Sequence, residues 1–132
     1  MALQYSVAVR NGRADAVTTV VGSAGKLRLY TGSAPADCAA AATGTLLSEH
    51  TLGSPFAPAA SGGVLSPTLP ANVNAAASGT AGYWRIYKSD GTTCAKQGSV
   101  GTSGADINLN TLSIVAGGPV QLNSWTITEA GA

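Results

Sequence analysis

The 132-residue chain carries seven Lys and Arg against six Asp and Glu, a formal net charge of +1, and 45% of its residues are hydrophobic. That balance excludes the dense positive field that dominates binding to a nucleic-acid backbone, and no basic run interleaves with aromatics. The length suits one β-rich domain over 1–132, but 24 alanines bury little surface each and 17 glycines raise the entropy lost on folding.

The core must therefore come from Leu27, Leu29, Leu46, Leu52, Phe56, Trp84, Ile86, Ile107, Leu109, Ile114, Leu122, Trp125 and Ile127. So few large side chains point to a subunit stabilised by association, as a homo-oligomer or within a larger assembly. Met1-Ala2-Leu3-Gln4-Tyr5 lacks the basic and apolar regions of a secretion signal, and no apolar run is long enough to cross a bilayer. A protein made in a cytoplasm, with no membrane partner, is expected.

From about Ser6 to Val21 the residues Val7, Ala14, Val17 and Val21 recur at helical spacing, with Arg10 and Arg13 left to face water and Gly22 as a stop. The competing reading is a hairpin about Asn11-Gly12, the strongest short hairpin signal. The helix, over 6–21, is preferred because Ala14-Asp15-Ala16-Val17 has no strand pattern. The period then changes to two: Lys26-Leu27-Arg28-Leu29-Tyr30 puts the leucines on one face and Lys26, Arg28 and Tyr30 on the other. Thr31 to Asp37 reads as a loop, Ala39 to Ala42 as at most a helical turn, and Thr45 to Leu52 as a second strand.

Residues 53–79 read as a long loop region. Four prolines between Gly53 and Pro70 rule out a central strand there and leave a short edge strand at Val64-Leu65. Tyr83 to Tyr87 is the next strong strand, with Trp84 and Ile86 on one face and Tyr83, Arg85 and Tyr87 on the other. Ser89-Asp90-Gly91 turns the chain into a returning strand from Cys94 to Val100. Short strands follow at Ile107 to Leu109, Leu112 to Ile114 and Val120 to Thr128, the last shifting phase at Asn123-Ser124 as a bulge would. Many short strands between glycine-rich turns predict a mainly β, antiparallel sandwich or jelly roll with a short N-terminal helix.

The clearest internal echo joins Leu27-Arg28-Leu29-Tyr30 to Trp84-Arg85-Ile86-Tyr87, each followed by a turn carrying an aspartate and then a cysteine. If the two strands are neighbours, Arg28, Tyr30, Arg85 and Tyr87 form a polar-aromatic surface suited to an interface. The plainer reading is that alternating strands simply need outward residues. Assembly through that surface predicts that Arg28→Ala with Arg85→Ala weakens association more than folding. Cys38 and Cys94 stand at matching places after the two strands and could pair, although separate thiols are favoured for a chain made in a cytoplasm.

No catalytic, cofactor-binding or metal-ligating constellation stands out. His50 is the one histidine and reads as an exposed polar strand position, with Glu49 on the opposite face. The acids Asp15, Asp37, Asp90, Asp106 and Glu129 are scattered, and Asp37 and Asp90 suit turn stabilisation. Phosphate-binding and dinucleotide glycine patterns and an activated-serine turn are all missing.

Residues 5–22, Leu27 to Ser33, Ala77 to Tyr87 and Ser124-Trp125-Thr126-Ile127-Thr128 together resemble a family of small tailed-bacteriophage virion proteins. The resemblance implies a structural protein of the virion that binds neighbouring subunits and decorates or cements a capsid, its partners being further copies and the major capsid or tail proteins. A tail component is the nearest alternative. A host-surface carbohydrate-binding module stacking sugars on Tyr83, Tyr87 or Trp125 is another, and a small enzyme a third.

Overall fold

The computed structural model describes residues 4–53 and 56–128. Ser54 and Pro55 of the expected long loop, the first three residues and Glu129 lie outside them. Among the described residues one helix, α1 (Val7–Val21), leads into eleven strands. They are β1 (Lys26–Thr31), β2 (Leu46–Thr51), β3 (Val64–Leu65), β4 (Val73–Asn74), β5 (Gly79–Tyr87), β6 (Cys94–Gly101), β7 (Ile107–Leu109), β8 (Ser113–Ile114), β9 (Pro119–Val120), β10 (Leu122–Trp125) and β11 (Ile127–Thr128).

The helix wins over the Asn-Gly hairpin because its ends are capped and Asn11 and Asp15 accept hydrogen bonds that dock it. Ser6 Oγ accepts a hydrogen bond from Val9 N at 3.2 Å, and Gly22 closes the helix at φ 66°. Asn11 Oδ1 accepts from Gly63 N at 2.7 Å and Asp15 Oδ1 from Ala60 N at 2.8 Å, so the presumed turn residue instead docks the helix onto the segment before β3. Ala14 and Val21 are buried and Val17 packs against the core, as the helical spacing requires, but Val7 is exposed. Arg10 is half-buried, its guanidinium lying beside Gly63.

The main sheet has seven strands in the order β10-β7-β6-β5-β1-β2, with β8 paired to the start of β5. Its pairs are antiparallel except β6 with β7, which run parallel. Two small two-stranded ribbons, β11 with β3 and β4 with β9, complete the strands. The expected sandwich or jelly roll is therefore corrected: the sheet curls into an open half-barrel, and its hollow is filled by α1 and the connections rather than by a second full sheet. The physical reason is strand length. The segments after β5 and β6 that would have to build an opposing sheet yield strands of two to four residues, too short to close one.

The hollow holds the apolar core. Leu27, Leu29, Trp84 and Ile86 project into it, and Trp84 meets Trp125 edge to face at 5.7 Å while Phe56 lies 5.6 Å from Trp125. Every expected core residue is buried except Leu46, which is half-buried. A register shift between Leu29 and Tyr30 displaces the β2 pairing there, so Leu47 and Ser48 both point inward and Leu47 takes the core place. The bulge expected at Asn123-Ser124 is present as a register shift between Leu122 and Ser124.

Candidate functional site

The four residues proposed for an interface do come together. β1 and β5 are antiparallel neighbours, with Arg28 opposite Arg85, Leu29 opposite Trp84 and Tyr30 opposite Tyr83. Two like charges directly across a sheet repel, and the structure resolves this by turning the guanidiniums apart. Arg28 Nε donates to Glu49 Oε2 on β2 at 2.6 Å and its guanidinium sits 4.6 Å above the Tyr87 ring. Arg85 turns the other way, donating to Gln97 Oε1 at 3.0 Å, the Asp37 carbonyl at 3.1 Å and the Tyr87 hydroxyl at 3.4 Å.

The outward-facing surface expected from these residues is corrected by burial. Tyr30, Tyr83 and Tyr87 are buried, Arg85 is only 2% exposed, and Arg28 alone of the four interface candidates is half-buried. What covers them is the connection from Gly32 to Gly44, which lies over the sheet face opposite the core. Its neck is closed by Thr31 N to the Thr45 carbonyl at 3.0 Å and Thr45 N to Thr31 Oγ1 at 2.8 Å. Its span is tied down by Tyr83, whose hydroxyl donates to the Thr43 carbonyl at 2.6 Å and accepts from Thr43 N at 2.9 Å. Gln97 Nε2 donates to the Pro35 carbonyl at 2.7 Å.

The fastening at the tip of this cover is covalent. Cys38 and Cys94 form a disulfide with a Cα separation of 5.5 Å, which corrects the preference for separate thiols. Antiparallel pairing of β1 with β5 puts the ends of the two strands at opposite edges, Thr31 beside Ala81 and Tyr87 beside Lys26, so Cys38 reaches Cys94 at the start of β6 because the Gly32–Gly44 connection runs back across the sheet face. Both turns are held by their aspartates. Asp37 Oδ1 accepts from Ala39 N and Ala40 N at 2.9 and 3.0 Å. Asp90 Oδ1 accepts from Thr92 N and Thr93 N, and its other oxygen from Thr93 Oγ1 at 2.7 Å. The hydrogen bonds from Thr93 and Thr92 hold the Asp90 carboxyl down at about 2.

The tyrosines under the cover form one electrostatic unit. Tyr30 stacks on Tyr83 at 5.1 Å, and its hydroxyl lies 3.4 Å from that of Tyr87. Burial and the contact with Tyr87 push the Tyr30 hydroxyl up to about 12. Burial also opposes ionisation of Tyr87, but hydrogen bonds from Tyr30 and Arg85 and the charges of Arg85 and Arg28 together outweigh it and bring its pKa down.

His50 is fully buried, not exposed. It sits across from Leu27 on the core side of β2, where its Nδ1–H donates to the Ala71 carbonyl at 3.1 Å and Nε2 faces Ser48 Oγ at 3.2 Å. Because a carbonyl only accepts, the proton is on Nδ1 and Nε2 accepts from the serine. This Ser-His contact has the spacing of a nucleophile and base, but both residues are buried and a substrate has no approach. Among the described residues no group of three His, Cys, Asp or Glu is placed to hold a metal ion.

The three aromatics named for sugar stacking, Tyr83, Tyr87 and Trp125, are all buried. A shallow cavity of about 350 Å3 near β8 and β9 is lined by uncharged residues including Asn72, Asn110, Ser113 and Gln121, over Leu109 and Ile114. No helix of the described residues is long and apolar enough to cross a membrane.

The residues that sequence reasoning missed lie on the outer side of α1. Val9 is 46% and Val20 49% exposed, and Gly12 and Ala16 between them are also open to solvent. At 3.6 residues per turn, positions 9, 12, 16 and 20 form a stripe along one side of the helix, and exposed Arg13 stands on that side with them. Tyr5, 39% exposed, extends the apolar surface before the helix, with the Arg13 guanidinium 4.9 Å from its ring. The same periodicity that marked the buried face would have revealed this one, had both faces been scored.

In comparisons with known proteins, no family model matches the chain, and no curated protein or solved structure matches it.

Proposed function

We propose that this chain is a non-catalytic structural subunit that associates with copies of itself, in the setting suggested by its resemblance to phage virion proteins: a subunit that decorates or stabilises a capsid. The observation that carries the self-association is the pair of exposed valines, Val9 and Val20, with the small residues Gly12 and Ala16 between them, on a solvent side of α1 that also bears Arg13. An amphipathic helix normally turns charge to water, and this one turns two valines there beside Arg13. Small residues at 12 and 16 let a second helix approach closely, with the valines packing on either side.

The sheet-face reading loses ground, since Arg85 and the tyrosines are already satisfied within the subunit. Arg85→Ala would strip hydrogen bonds from the cover, so it is expected to disturb folding as well as any assembly.

Sedimentation velocity of the intact chain beside a Val9→Asp, Val20→Asp variant tests the proposal. Association of the parent, weakened about 100-fold or more in the variant while the far-ultraviolet circular dichroism is unchanged, is expected; two buried valines at roughly 1.5 kcal/mol each supply that factor. A parent that stays monomeric at high concentration, or a variant that associates equally well, overturns it.

A further inference from the structure

The disulfide joins the Gly32–Gly44 connection, which holds no helix or strand, to the first residue of β6, and beneath that connection lies an unusual buried charge. Arg85 is 2% exposed, yet its three hydrogen bonds run to an amide oxygen, a backbone carbonyl and a phenol, none of them a carboxylate. Removing a guanidinium from water without an opposite charge is unfavourable, so Arg85 favours a state in which water reaches it. The cover opposes that tendency with four hydrogen bonds of modest net worth: two between Thr43 and Tyr83, one from Arg85 to Asp37 and one from Gln97 to Pro35. Three of the tethered residues, Pro35, Asp37 and Cys38, sit together toward the tip, and Cys38 is the one held covalently.

We propose that the Cys38–Cys94 disulfide is a redox latch, and that its reduction lets the Gly32–Gly44 cover lift from the Arg/Tyr face while the sheet stays folded. Both cysteines are half-buried, so a small thiolate can reach the bond. A dithiol reductant supplies the chemistry. One of its thiolates attacks a cystine sulfur, forming a mixed disulfide and releasing the other cysteine as a thiolate; its second thiolate then displaces the remaining cysteine. Two electrons and two protons pass to the protein as two thiols, and the reductant leaves as its own disulfide. Reoxidation by a disulfide-bearing oxidant runs the exchange backwards.

Opening is local because the apolar core lies on the other side of the sheet. Leu27, Leu29, Trp84 and Ile86 face the hollow, whereas Tyr30, Tyr83 and Tyr87 form a separate cluster capped by Ala42, Leu46 and Cys94. Lifting the cover would uncover Arg28, Tyr30, Arg85 and Tyr87 as a surface of guanidiniums and phenols, the same residues whose spacing first suggested an interface. This inference is independent of the α1 stripe.

The test compares the oxidised protein with protein reduced by dithiothreitol and alkylated, using arginine modification by phenylglyoxal mapped by mass spectrometry, with hydrogen exchange of 33–42 alongside. The latch predicts that Arg85 is modified at least about tenfold faster after reduction and that 33–42 exchanges faster, while β1, β5 and the tryptophan emission are unchanged. An Arg85→Met variant separates a latch from a mere staple: without the buried charge, the reduced cover stays closed. Protection of Arg85 in the reduced protein, joint loosening of the whole sheet, or a reduced Arg85→Met cover that opens as far as the parent's would each overturn the proposal.

Discussion

His50 is the one imidazole of the chain, and it is fully buried. Its side chain was expected in water because a polar residue in a strand usually faces out, yet the pairing of His50 with Leu27 puts it on the core side. Burial disfavours its charged form and outweighs the opposing hydrogen bond to the Ala71 carbonyl, so its pKa in the folded protein lies below the ordinary 6.5. As the pH falls below 6.5, the unfolded chain takes the proton first, so this contribution to stability is present above 6.5 and lost on acidification through the window down to the folded value. Chemical denaturation across that window should show stability falling by up to about 1.4 kcal/mol per pH unit for this one proton. The fall should flatten in His50→Gln; an identical slope in the variant would remove His50 as its source.

At the scale of elements, β5 is held between two demands that meet at Gly82. The register between β1 and β5 shifts after Tyr30, and the chain leaving β1 turns back across β5 so closely that a Cβ on Gly82 would lie 2.8 Å from the Gly32 carbonyl carbon and 2.9 Å from its nitrogen. Those are backbone atoms at the root of the cover and cannot rotate away. Gly82→Ala should therefore cost about 1–3 kcal/mol in thermal or denaturant unfolding. Gly12→Ala, on an open side of α1, should gain about 0.5–1 kcal/mol. Equal effects at the two sites would contradict the close approach.

The same scale shows what was legible in the sequence. Strand alternation located β1, β5 and β7 and helical spacing located α1, because each pattern reports one buried face directly, whereas β6, half-buried along most of its length, was marked by the turn before it. Alternation could not report that β5 is buried on both faces: Tyr83, Arg85 and Tyr87 alternate with Trp84 and Ile86 as outward residues would, and only the cover makes them inward. The cover itself has no periodicity to read. Its one sequence trace is the cysteine at the end of each echoed unit, and the link they make, closing a separation of 56 residues, is of the kind that restricts an unfolded chain by about 4 kcal/mol. The bulge in β2 was hidden for a related reason, since Leu46 and Leu47 are interchangeable until the register is known.

At the scale of the whole molecule, the open half-barrel has three surfaces with different fates. The hollow is filled by its own core, the Arg/Tyr face is sealed by a cross-linked cover, and the outer side of α1 leaves Val9 and Val20 exposed beside Arg13. A thin supply of large side chains is spread over two clusters, which is consistent with a subunit that gains stability on assembly. The thirteen-residue cover from Gly32 to Gly44 occupies the place where an interface was first expected, so the proposed assembly is argued from the helix instead.

Hydroxyl-radical footprinting of the oxidised protein at low and high concentration tests that assignment most directly. Assembly through α1 predicts that Tyr5, Val9 and Val20 lose reactivity as the protein associates, while the cover and the cavity-lining residues Val115 and Pro119 react as before. Association that leaves the α1 stripe fully reactive and protects the cover or the cavity rim instead would contradict it.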